Sequence, residues 1–166
     1  GARMEQAFDA YREPALLAML STKPTFDSIL LGRDVQPAVP FPERPSEVLA
    51  GAGHAILRNY GEAGLSAAMT FGPYGGSHGH YDKLSFVFFG YGQELAVDPG
   101  PAKSQAYRLP IHKNWYKATV SHNAVLVDGQ SQQPAQGKLL HFEETEHSTV
   151  VSASCDEAYP GIDHKR

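Results

Sequence analysis

The densest run of chemically capable side chains is Gly75-Gly76-Ser77-His78-Gly79-His80-Tyr81-Asp82-Lys83. Two histidines one residue apart point the same way if the segment is extended. Imidazole is the commonest protein ligand for a metal near neutral pH. The glycines let the backbone turn sharply or let a ligand come close. Alone, a His-x-His pair is a weak signal, since most such pairs are ordinary polar residues. Two further residues strengthen it. Asp98 ends the apolar run Leu95-Ala96-Val97, where a carboxylate must be exposed, paired or bound to a cation. Taken by itself, Asp98 reads as a turn acid before Pro99-Gly100. His122 stands at the entry to Ala124-Val125-Leu126-Val127. A histidine, a carboxylate and a second histidine form a borderline donor set that suits zinc best, with a fourth position left for water or another group.

Two other metal motifs lose a ligand here. Metallo-β-lactamase-type hydrolases use His-x-His-x-Asp-His before a helix. His78, His80 and Asp82 match that pattern, but Lys83 replaces the last histidine and an apolar strand follows. A cupin needs a glutamate shortly after the pair, and residues 84–89 contain none.

The elements that must position these residues are mainly β. Residues 84–91 are too apolar for an exposed face and read as a central strand. Residues 48–60 and 65–71 precede it, and 94–97 follows as the return arm of a hairpin. Residues 124–127 read as a strand ending at the turn signal Asp128-Gly129. Residues 138–144 and 148–154 alternate around a short polar turn. Such a run of antiparallel strands closes most naturally as a β-sandwich. Residues 1–31 read as helical, with Pro14 as a break and a second short helix over 25–31. Pro37, Pro40, Pro42 and Pro45 mark 32–46 as a linker. The sandwich then spans 47–166. It is expected to be incomplete, because no closing element follows Asp163-His164-Lys165-Arg166.

Composition narrows the function classes. With 42% hydrophobic and 19% charged residues, the 166-residue chain is globular. A net charge of −4 with no basic run offers no footprint for nucleic acid. A polyanionic substrate stays open, since an acidic protein can carry a local basic cleft. No apolar run is long enough for a membrane span. The single cysteine, Cys155, permits no internal disulfide and reads as buried filler.

From Gly72 to Gln133 the chain resembles the heparinase II/III-like family. The resemblance rests on four motifs in order. They are His78-Gly79-His80-Tyr81-Asp82-Lys83-Leu84-Ser85, Val97-Asp98-Pro99-Gly100, the run from Asn114-Trp115-Tyr116 to Thr119-Val120-Ser121-His122-Asn123, and Val127-Asp128-Gly129-Gln130-Ser131-Gln132. Tyr81-Asp82-Lys83-Leu84-Ser85 is closer in flavour to the alginate and oligoalginate branches than to the heparin branches. The resemblance implies an antiparallel sandwich preceded by short helices from the end of an (α/α) toroid domain. It implies a structural zinc held by His80, Asp98 and His122. It also implies His78 as an active-site histidine and Tyr107 as an active-site tyrosine, with Tyr116 competing for the latter role.

The implied reaction is β-elimination on a uronic acid of alginate or a glycosaminoglycan. The C5 proton leaves, the C4–O bond breaks, and hydrogen-bond donors must neutralise the adjoining carboxylate. Tyrosine or histidine serves as base and acid. Lys83, Arg108 and Lys113 are near in sequence and could favour a phenolate. The family's remaining catalytic groups come from the toroid, so the isolated chain is expected to bind zinc but not to cleave. An acidic polysaccharide or oligosaccharide is the expected partner, a homodimer one expected assembly, and the periplasm or exterior the expected location. Two other classes stay in view: a non-catalytic carbohydrate-binding or structural sandwich, and a metal-dependent hydrolase. Trp115 and Tyr116 read as core aromatics. His112 reads as a loop residue that could touch substrate. His54, His141 and His147 read as solvated strand residues, and Asp82 and Asp128 as turn or hydrogen-bonding acids.

Overall fold

The computed structural model describes residues 2–100 and 109–166. The chain divides into two compact units, Gly1–Arg44 and Pro45–Arg166. The first is helical. Helix α1 (Ala2–Tyr11) ends three residues before Pro14, and a tight helical turn runs from Pro14 to Met19. Helix α2 (Phe26–Leu30) starts at a reciprocal cap. The Ser28 amide donates to Thr25 Oγ1 at 3.1 Å, and the Thr25 amide donates to Ser28 Oγ at 2.9 Å. Arg33 Nε and Nη2 each donate to the Glu5 carboxylate at 2.6 Å, and both side chains are buried. These hydrogen bonds hold the Glu5 carboxyl below the usual carboxylate range.

The second unit carries two antiparallel sheets. Five strands run as a simple meander: β1 (Glu47–Leu49), β2 (His54–Asn59), β3 (Leu65–Thr70), β4 (Phe86–Gly90) and β5 (Gln93–Ala96). The second sheet pairs β6 (Lys138–Glu144) with β7 (Thr149–Ser154). Residues 48–60, expected as one strand, form two. The Gly53 amide donates back to the Leu49 carbonyl at 2.8 Å, which closes a turn between β1 and β2.

Alternation puts the core between the sheets. Val48, Ala55, Met69 and Phe86 lie in register across β1 to β4, and so share a face. They meet Val151, Ala153 and Cys155, together with Tyr159, Phe71 and Leu84. The sheets thus bury one face each, as in a sandwich. Cys155 is core, as its type suggested.

Two expected strand segments differ. Residues 124–127 form no strand, despite their apolar side chains. Val127 only bridges to Gln130 across Asp128-Gly129, where both residues have positive φ (51° and 69°), the geometry a type I′ turn needs. The Tyr159 hydroxyl lies within hydrogen-bond distance of the Val125 and Gln130 carbonyls, at 2.9 and 3.2 Å, and so takes the place of a ladder. Leu84 has φ of +59°, so β4 begins two residues later than its apolar pattern suggests. A buried leucine in the left-handed region is uncommon and must be held by its surroundings.

Met69 sits in the middle of the shared face and is 5% exposed. Met69→Ala is expected to lower unfolding free energy by about 2–4 kcal/mol in urea titration. A loss below about 1 kcal/mol would mean that the two sheets do not pack through this row.

Candidate metal centre

The segment joining β3 to β4 is irregular, so its backbone groups need partners outside a ladder. Gln132 supplies two of them. The Lys83 amide donates to Gln132 Oε1 at 2.6 Å, and Gln132 Nε2 donates to the Lys83 carbonyl at 2.8 Å. The Gln132 amide donates to Thr119 Oγ1 at 2.9 Å, and that hydroxyl donates to the Tyr81 carbonyl at 2.5 Å. The Tyr81 amide donates to the Lys117 carbonyl at 2.9 Å. Thr119 and Gln132 are 0% and 3% exposed. A largely buried polar network therefore stitches residues 81–83 to residues 117–119 and 132.

The result is a cluster of potential ligands. His80, Asp82 and His122 each offer a donor atom, and these atoms all lie within 4.8 Å of one another. The rings of His80 and His122 are 5.2 Å apart, tilted by 40°. Burial disfavours the charged form of His80, and the neighbouring His122 acts in the same direction, so a ring lone pair is available.

Asp98 joins through His122. His122 Nδ1 lies 2.6 Å from Asp98 Oδ2, and Nε2 lies 3.2 Å from the Tyr116 carbonyl. Both partners can only accept, and one hydrogen on Nδ1 satisfies the shorter contact as an imidazole–carboxylate hydrogen bond. The case for a cation therefore rests on the donor set of His80, Asp82 and His122. Neutral imidazoles and carboxylates converging on one point are a donor set that zinc accepts. The other oxygen of Asp98 accepts from the Gly100 amide at 2.8 Å, so the turn-acid role holds as well. Asn123 completes the frame by donating to the Phe86 and Val97 carbonyls, both at 3.0 Å. Thr119, His122 and Asn123 thereby fasten three different segments.

His78 is exposed on the short helical turn Gly76–His78. It lines an open depression with Pro73, His80, Asp82, Lys83 and Asp98. Tyr107 and Arg108 lie outside the described residues. Tyr116 is half-buried and contributes its carbonyl. Trp115 is 48% exposed and so is not a core residue, contrary to the reading from its type. His112 is buried rather than offered to a ligand. His54, His141 and His147 are exposed. A hollow between the sheets, lined by Leu57, Arg58, Phe88, Glu144 and His147, shares no residue with this site. Among the described residues it gathers no such donor set.

Four contributors carried no role in the sequence reading. Asp82 was read as a turn acid, yet it falls within the ligand group. Thr119, Gln132 and Asn123 act through backbone hydrogen bonds to distant segments. Only their inclusion in the Thr119–Asn123 and Val127–Gln132 motifs drew attention to them.

The family model for the heparinase II/III-like C-terminal domain matches residues 42–166. An alginate lyase of Stenotrophomonas maltophilia is 32% identical over 125 residues, covering 66% of this chain and 17% of the lyase. An exo-oligoalginate lyase of Saccharophagus degradans is 29% identical over 107 residues, covering 55% of this chain and 14% of that lyase. An endo-acting ulvan lyase of Formosa agariphila is also 29% identical, over 118 residues, covering 69% of this chain and 14% of that lyase. The chain thus spans under a fifth of the length of these relatives. Among solved structures, a heparinase III superposes with a TM-score of 0.74 at 18% identity, covering 98% of this chain and 25% of that one. A heparan sulfate lyase of Pedobacter heparinus gives 0.70 at 19%, covering 99% and 24%. At these identities the structural likeness is one of fold.

Gln132→Leu keeps most of the side-chain volume and abandons two buried backbone groups. It is expected to destabilise the protein by about 2–6 kcal/mol, from roughly 1–3 kcal/mol for each unsatisfied group. Chemical denaturation checks this. A change under about 1 kcal/mol would mean that Lys83 finds other partners and that the network does not hold the site.

Proposed function

The chain belongs to the heparinase II/III-like family, matched through that family's C-terminal domain, and we propose from this that it forms one wall of a polysaccharide lyase active site. The observation that carries the reading is the position of His78. It is exposed at the rim of a depression whose other walls include His80, Asp82 and Asp98. The substrate class is a uronate-containing polysaccharide or oligosaccharide, with alginate favoured by the relatives that bear alginate in their names.

In this reading zinc is held by His80, Asp98 and His122, with Asp82 within reach, and when bound it supplies a cross-link among three loops. His78 handles a proton of the elimination: loss from C5, or return to the oxygen leaving C4. Tyr107 is proposed as its tyrosine partner. Hydrogen bonding to Tyr74 and burial push the Tyr81 phenol above the ordinary range, which makes it a poorer base than an unshifted tyrosine. The remaining catalytic groups are assigned to a helical toroid domain outside these 166 residues, which fits the small share of each relative that the chain covers. Action on such a polymer is proposed to occur in the periplasm or outside the cell.

Two measurements test this. The purified chain is expected to hold about one zinc, and His122→Ala to lose the metal along with stability, as read by metal analysis and thermal melting. A folded chain that takes up no zinc would break the ligand assignment. Joined to a family toroid domain, the chain is expected to yield product absorbing through a C4–C5 double bond. His78→Ala should lower that turnover roughly 10²–10⁴-fold. Unchanged turnover would favour a non-catalytic carbohydrate-binding sandwich. Product lacking the double bond, lost at once on chelation, would favour a metal-dependent hydrolase.

A further inference from the structure

Beside the His78 turn, Tyr74 and Tyr81 stack with ring centroids 5.6 Å apart and planes within 7°. Gly79 makes this possible: a side chain there would meet the Tyr74 ring at 2.8 Å. The Lys117 ammonium lies 5.7 Å and 5.9 Å from the two centroids, inside the range of a cation–π contact. It donates to the Ser77 carbonyl at 3.2 Å and to Tyr74 Oη at 3.3 Å. Ser77 directly precedes His78.

Every one of these partners is neutral. Among the described residues no carboxylate stands within ion-pair distance of Lys117, although Lys83, Lys165, Arg12, Arg33 and Arg58 each have one. Lys117 is also half-buried, so solvent screens its charge less than it would on an open surface. Its ammonium has three hydrogens, and the two oxygens take two of them. Lys113 adds a second positive charge near Tyr81, where its field favours the phenolate form. Among the described residues, the Lys117 ammonium is thus held on neutral acceptors, one of them the carbonyl of the residue before His78.

We propose that Lys117, seated beside the Tyr74–Tyr81 pair, is a binding subsite for the carboxylate of an anionic sugar ring and makes the site prefer uronates over neutral sugars. The choice of a sugar carboxylate, rather than another anion, rests on the lyase reading above. The recognition itself does not need turnover. An ammonium held on neutral acceptors gains a charge-assisted hydrogen bond from a carboxylate and nothing comparable from a hydroxymethyl group.

The test is a calorimetric or NMR titration of the chain with uronate tetrasaccharides prepared from alginate and from heparan sulfate, and with their carboxyl-reduced, neutral counterparts. The expected result is that at least one acidic tetrasaccharide binds, with affinity falling as salt rises. Lys117→Met should weaken that binding about tenfold or more, while Lys117→Arg stays within about threefold of the parent. The neutral counterpart should bind weakly and equally to all three proteins. Binding unchanged in Lys117→Met would overturn the proposal. So would an equal loss for acidic and neutral sugars, which would make Lys117 only a brace for the His78 turn. A parent chain that binds no uronate would overturn it too. Failure of the lyase reading looks different. Lys117-dependent binding in a toroid-joined protein that forms no unsaturated product would uphold the subsite and sink the lyase. Elimination with KM unmoved by Lys117→Met would do the reverse.

Discussion

The pairing of one buried amide side chain with one peptide carries the rest of the site. Gln132 meets both the N–H and the C=O of Lys83, in a place where no strand can do so. The residue after Lys83 is Leu84, fully buried in a left-handed conformation. Nothing local favours that conformation in a leucine, so long-range contacts must hold it. Thr119 extends the pairing to the Tyr81 carbonyl, and Arg166 Nη1 donates to the Leu84 carbonyl at 2.8 Å. With residues 81–84 fixed in this way, His80 and Asp82 have defined positions relative to His122.

This explains how a site with little regular structure can be specific. Its groups come from the segment before β4, the segment after β5 and the turn around 119–123. The sheets supply rigid anchors, and buried polar side chains supply the geometry between them. The contact between His122 and Asp98 follows from the same frame. The Tyr116 carbonyl fixes one nitrogen of the ring, and Asn123 holds the Val97 carbonyl beside Asp98. The imidazole and carboxylate groups gathered there are donors that a metal can use, and a metal bound to them would stabilise the fold around it.

Much of the fold was legible because sheet residues obey a short period. β6 matched its expected bounds, and β3, β5 and β7 each fell within a residue of theirs, since apolar and polar residues alternate there. The failures have local causes. The turn through Gly53 split 48–60, the strained Leu84 delayed β4, and Tyr159 drew 124–127 out of any ladder. At the site, His80, Asp98 and His122 stood out through the family motifs that carry them, while Asp82, a turn or hydrogen-bonding acid by its position, is the carboxylate that falls within the ligand group. Thr119, Gln132 and Asn123 did not stand out, because an amide or hydroxyl bonding a distant backbone looks the same in sequence as one in water. Lys117 drew no attention for a related reason: its neutral partners, Tyr74 and the Ser77 carbonyl, are far from it in sequence and meet it only in the fold.

The most direct test of the account is X-ray absorption spectroscopy at the zinc edge on the zinc-loaded chain. The expected first shell is nitrogen and oxygen alone, with the outer-shell scattering of two imidazoles from His80 and His122. A shell with sulfur would point to Cys155, and a shell without imidazole to a surface carboxylate site. Either would contradict a metal centre built on His80 and His122.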